Sequence, residues 1–168
     1  MPLLALLHVA CLALVAALLV GAGAHDLRSM QIANGFPLTI AGLFIVWAVA
    51  GLAGGQMSIE DLALSLGCGA VVFVMGAAAF ALGTLGGGDV KLLAAVSLFA
   101  GPQRLPGFLI ITAIAGGLLG LAILAGAPIG RPAMAVPGPL RARLRSGLPY
   151  GPAIAAGGLW VVASLGLT

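Results

Sequence analysis

Two acidic residues stand in settings where a carboxylate is hard to keep. Asp89 follows Gly86-Gly87-Gly88 and precedes Val90-Lys91-Leu92-Leu93-Ala94-Ala95, so a carboxylate and an ammonium sit between two apolar runs. Asp26, in His25-Asp26-Leu27-Arg28, comes directly after an apolar run that begins at Leu3. The chain holds only 4 acids in 168 residues, so their placement carries information. An ionisable group at membrane depth costs about 2.5 kcal/mol or more, and such groups usually face a cavity or a functional site. Two carboxylates a few Å apart cannot both ionise easily and so share a proton. Such a pair can hydrolyse a peptide bond. The ionised member takes a proton from a trapped water while the protonated one polarises the scissile carbonyl. The three glycines remove every Cβ from the approach to Asp89, which lets another backbone come close. Asp26 and Asp89 are thus the candidate catalytic pair, with Gly86 and Gly88 in support.

Each acid also has a plainer account. Asp26 would be a loop acid satisfied by Arg28 or by water. Asp89 would be a helix N-terminal acid stabilised by the dipole, with Lys91 snorkelling to the interface.

The elements that position these acids must be membrane helices. The chain is 62% hydrophobic and 7% charged, with mean hydropathy +1.24. A soluble domain of this size would lack the polar surface to cover itself. The length accommodates about six helices of roughly 20 residues, the number a bilayer core of about 30 Å requires. The expected fold is therefore all-α, a polytopic membrane helix bundle forming one domain over residues 1–168 with no separate soluble part. The 27 glycines suit close helix packing in lipid. The 7 basic residues point to topology and to anionic lipid rather than to nucleic acid. Cys11 and Cys68 form no C-x-x-C pair, which argues against a disulfide framework or a thiolate zinc site. His8 and His25 stand in different settings and suit polar packing better than a metal site. No metal or cofactor is expected.

Along the chain, the first run spans Leu3 to Ala24. Ala22-Gly23-Ala24 resembles a signal-peptidase site, but no Lys or Arg precedes the run and its length exceeds a normal signal core. A polar break follows from His25 to Gly35, then a second run from Phe36 to Gly55. Ser58-Ile59-Glu60-Asp61 has the form of a helix start, with Ser58 as N-cap and acids in the first turn. The third span runs from Asp61 to Leu82. The fourth segment, Asp89 to Ala100, ends before Gly101-Pro102 and is too short to cross a bilayer alone. A short helix starting inside the membrane would put Asp89 in a recess, where irregular backbone is tolerated only if buried or facing a wet cavity. A fifth span covers Leu105 to Ala127 and a sixth Tyr150 to Leu167, separated by a proline-bearing stretch with Arg131, Arg141, Arg143 and Arg145.

With the N-terminus outside, Arg28, Lys91, Arg131, Arg141, Arg143 and Arg145 face the cytoplasm, and Arg104 is left on the far side. That is a clear positive-inside bias. The same arrangement puts Asp26 and Asp89 together on the cytoplasmic side, with Glu60 and Asp61 opposite. Lys91 would orient Asp89, contact substrate or anchor the topology. Asn34 would hydrogen-bond near the site, or more simply cap the second helix. Tyr150 suits an interfacial belt. Arg141, Arg143 and Arg145 suit a grip on anionic lipid.

Gly86-Gly87-Gly88-Asp89 with Val90-Lys91-Leu92 resembles the GxGD-x-K-L motif of bacterial type IV prepilin peptidases. Asp26-Leu27-Arg28 with Ile32-Ala33-Asn34 resembles that family's first aspartate motif, with Ala33 where the family usually has proline. Leu148-Pro149-Tyr150-Gly151-Pro152-Ala153 resembles the stretch that opens the family's last helix. The resemblance implies an aspartic endopeptidase that removes the short basic leader of prepilins or pseudopilins at the cytoplasmic membrane face, with Asp26 and Asp89 as the catalytic pair. Larger members carry a cytoplasmic part with paired C-x-x-C motifs. This chain has none, so it resembles the short, peptidase-only form of tight-adherence (Flp) pilus systems. Two competing readings are weaker. Membrane proteases of the presenilin or signal-peptide-peptidase sort place their first aspartate in a Tyr-Asp pair inside a helix. A small transporter or pilus-assembly scaffold would use Asp89 as a proton-relay acid, and a transporter should show matching broken helices in two halves.

Overall fold

The computed structural model describes residues 2–127 and 149–167. Arg131, Arg141, Arg143 and Arg145, and the lipid contact expected of them, lie outside the described residues. Within these, the secondary structure is helical throughout: α1 (Pro2–Ser29), α2 (Gly35–Ala53), α3 (Ile59–Ala81), α4 (Gly87–Leu124) and α5 (Gly151–Gly166). Helices α1 to α4 are each long and apolar enough to cross a membrane, and α5 is a shorter apolar helix. The chain is a polytopic membrane bundle, as its composition requires.

Helix α4 is two helices in one. At Gly101 the backbone takes φ 56° and ψ −177°, a conformation essentially reserved for glycine, and Pro102 follows. The chain reverses there, as the neighbours of each limb show. Before the elbow, Val90 lies against Gly76 and Leu98 against Gly69, so the first limb runs antiparallel to α3. After it, Gly107 lies against Trp160 and Gly116 against Tyr150 and Ala153, so the second limb runs antiparallel to α5 and back toward Asp89. Arg104 Nε donates to Ser164 Oγ at 3.1 Å just past the turn. The two limbs correspond to the expected short fourth segment and fifth span.

The first limb of α4 is the centre of the bundle. Leu92, Ala95, Val96, Phe99 and Ala100 are buried there against Val15, Leu19 and Ala22 of α1, Ile40 and Phe44 of α2, and Ile154 of α5. Phe99 meets Phe44 edge to face, with ring centroids 5.3 Å apart. The outside is the reverse of a soluble protein: Val49, Val74 and Ile110 are all more than half exposed, the surface that lipid covers.

One boundary differs from expectation and another agrees with it. α1 does not stop at the polar His25 but continues to Ser29, because helical backbone bonding is indifferent to side-chain polarity. Met30, in the left-handed region at φ 56°, then ends it. At the start of α3 the expected cap is present: Asp61 N–H donates to Ser58 Oγ and Ser58 N–H to Asp61 Oδ2, both at 3.0 Å.

Candidate active site

The ends of α1, α2, α3 and α4 that surround Asp89 are assembled by the antiparallel packing just described. Asp26 lies in the last turn of α1 and Asp89 in the first turn of α4. Both are buried, at 3% and 9% exposure, whereas no other charged side chain among the described residues is buried. Both line one cavity of about 420 Å³, together with Met30, Gln31, Ile32, the Gly83–Gly88 turn and Tyr150. Residues 63 positions apart in the chain thus line one small space.

Each acid receives one backbone N–H. Gly86 N–H donates to Asp89 Oδ2 at 3.2 Å, the back-bond of a helix N-terminus to its third residue. Gly151 N–H, at the start of α5, donates to Asp26 Oδ2 at 2.7 Å.

Two of the three glycines before Asp89 have no room for a side chain. A Cβ on Gly88 would stand 2.8 Å from Ile32 O and 2.9 Å from Ile32 Cβ, so the α1–α2 connection is packed directly onto the start of α4. A Cβ on Gly86 would stand 2.6 Å from Asp89 Oδ2. Beside this contact, Lys91 Nζ donates to Asn34 Oδ1 at 2.8 Å, fastening the same connection from outside the cavity. Lys91 and Asn34 are therefore brought together, and neither lines the cavity. Asn34 does occupy the N-cap position of α2, but its side chain makes no capping bond there.

Beyond the expected site residues, Met30 and Tyr150 line the cavity, and Gly151 reaches the site through its bond to Asp26. Met30 and Gly151 carry no chemical signal of their own, and Tyr150 was read as a membrane-belt residue. The Pro149-Tyr150-Gly151-Pro152 stretch was the available signal for the last two. His8 and His25 stay apart, His8 Nδ1 being 2.9 Å from Leu4 O and His25 lying against the Phe36 ring. Among the described residues no three His, Cys, Asp or Glu side chains gather in a way that could hold a metal ion.

The profile of the type IV leader peptidase family matches residues 12–121. The match takes in both acids and the glycine run, and ends before Tyr150 and Gly151. No curated protein matches the chain, and no solved structure does.

Proposed function

The chain belongs to the type IV leader peptidase family, and from that premise we propose that it is an aspartic endopeptidase with Asp26 and Asp89 as its catalytic pair. The observation that carries this reading is the single cavity lined by both acids, each from a different helix end and each nearly closed to solvent. A water held between the carboxyl groups loses a proton to the ionised acid as its oxygen attacks the scissile carbonyl carbon. The protonated acid donates to the carbonyl oxygen, and the resulting tetrahedral species collapses with proton transfer to the departing amine. The narrow backbone of the Gly86–Gly88 turn gives an extended substrate room to lie beside Asp89. Lys91 and Asn34 act by fastening the wall of the cavity rather than by touching substrate.

The substrate of this reading is the short basic leader of a type IV prepilin or pseudopilin, of the tight-adherence (Flp) sort. Cleavage takes place at the cytoplasmic face of the bacterial inner membrane, with the N-terminus outside; the positive-inside distribution of Arg28 and Lys91 supports that orientation.

The test uses purified protein in detergent with a leader-bearing prepilin, scored by mobility shift and by sequencing the new N-terminus. Asp26→Asn and Asp89→Asn should each lower the cleavage rate by about 10³-fold or more, at the upper end of what a general acid or base supplies. Cleavage retained by either variant would remove the two-aspartate mechanism.

A further inference from the structure

We infer that the first turn of α5 belongs to the catalytic apparatus, with Gly151 as the positioning residue for Asp26. The inference rests on the reading of Asp26 and Asp89 as the reacting pair, and extends it to a part of the chain beyond the matched residues 12–121.

The argument begins with where backbone donors are available. A helix N-terminus offers unpaired N–H groups, whereas a C-terminus offers carbonyls. Asp89, at the start of α4, finds its N–H within its own first turn, at Gly86. Asp26, in the last turn of α1, is at the wrong end of its helix to do the same. Its donor comes from 125 residues away, where Gly151 N–H reaches Oδ2 at 2.7 Å in a bond buried on both sides. The bond satisfies a helix-start N–H and a buried carboxyl oxygen together, so losing it would leave both exposed to the cost of an unmade bond.

The second observation is how closely α1 and α5 approach at this point. A Cβ on Gly151 would stand 2.6 Å from Asp26 Cβ and 2.9 Å from Oδ2. One turn deeper, a Cβ on Gly23 would stand 3.3 Å from Pro152 Cα and 3.4 Å from Ala155 Cβ. Two glycines, one on each helix, therefore set the separation of the two backbones around the Asp26 side chain. Pro149, fully buried, and Pro152 flank the donor and fix their own φ, which limits the freedom of the short stretch that carries the Gly151 N–H. Tyr150, between them, lines the cavity itself. Burial, contact and backbone restriction act on one atom pair, and the consequence is a fixed carboxyl orientation.

Three alanine variants of the full chain test this, each assayed for kcat, KM and Tm on a leader-bearing prepilin. Gly151→Ala should lower kcat by about 100-fold, the loss expected from roughly 1 Å of misplacement, with KM within about threefold. Gly23→Ala, whose new contacts are looser, should lower kcat by about tenfold with little change in Tm. Gly157→Ala is the packing control: its Cβ meets Thr112 Oγ1 and Phe108 about two turns deeper in the α4–α5 contact. It should lower Tm while leaving kcat per folded molecule unchanged. A Gly151→Ala protein that keeps kcat, or loses it only in proportion to its folded fraction, would overturn the positioning role. If Gly151→Ala does not fold, Gly23→Ala decides alone: a selective fall in kcat supports the role and an unchanged kcat overturns it. Asp26→Asn in the same assay separates the two levels of inference. Cleavage surviving in Asp26→Asn sinks the aspartate pair itself, whereas an inactive Asp26→Asn beside a fully active Gly151→Ala sinks only the role given to Gly151.

Discussion

A Cβ added at Gly87 would meet only the Phe80 ring, at 3.4 Å, which is ordinary contact. Its neighbours on either side have no such room, because Gly86 faces the Asp89 carboxyl and Gly88 faces the Ile32 backbone. The alternation gives a physical reason for a glycine–any–glycine–aspartate pattern. Gly87→Ala should cleave prepilin at close to the parental rate. Gly88→Ala must push the α1–α2 connection off the start of α4, and a shift of even part of an ångström should lower cleavage by about tenfold or more. Comparable activity in the two variants would contradict the contact argument. Both acids and both glycines stand out in the sequence by residue type and local spacing, and the structure sets all four around one cavity. The Gly151 bond to Asp26 was not legible there, because a pairing across 125 positions leaves no local trace. For the same reason the sequence points Tyr150 to a membrane belt and leaves Asn34 between a hydrogen bond near the site and a cap, of which the structure has the hydrogen bond. Their actual neighbours, the cavity and Lys91, come from other parts of the chain.

At the scale of elements, the elbow in α4 decides whether the bundle closes. Gly101 holds a φ of 56° that a residue with a Cβ adopts only under strain, and an added Cβ would also come within 3.4 Å of Ser65 Oγ. Gly101→Ala should destabilise the protein by about 1–3 kcal/mol, seen as a lower Tm in detergent. An unchanged Tm would mean that the reversal does not depend on this residue. Gly101-Pro102 was readable as a break, since both residue types punctuate helices. What the sequence did not contain was the direction taken after the break, which depends on the packing of each limb against α3 or α5. Polarity misled at the end of α1 in the opposite sense: His25 and Asp26 looked like a connection, yet they complete a helix that Ser29 Oγ closes by donating to His25 O at 2.8 Å.

At the scale of the molecule, the connections sort to two ends of the bundle. Ala33 is exposed at the end that holds the acids, and Gln56 is exposed at the other, in the α2–α3 turn. In a background with Cys11 and Cys68 replaced by alanine, a membrane-impermeant maleimide should label Gln56→Cys on intact cells. It should reach Ala33→Cys only in inverted vesicles. The reverse pattern would turn the proposed orientation over. The membrane class followed from composition alone, which reports the solvent around a chain but not its internal pairings; against the six expected spans, the described residues hold four long apolar helices and one shorter one.

The fold-back at Gly101 has a practical corollary. Because α4 crosses and returns, α5 departs from the acids just as α1 arrives at them: Gly23 packs on Pro152 and Gly158 on Leu19, so the two helices run antiparallel. A tag placed after α5 would therefore leave from the Arg104–Ser164 end of the bundle, away from the cavity that Asp26 and Asp89 line.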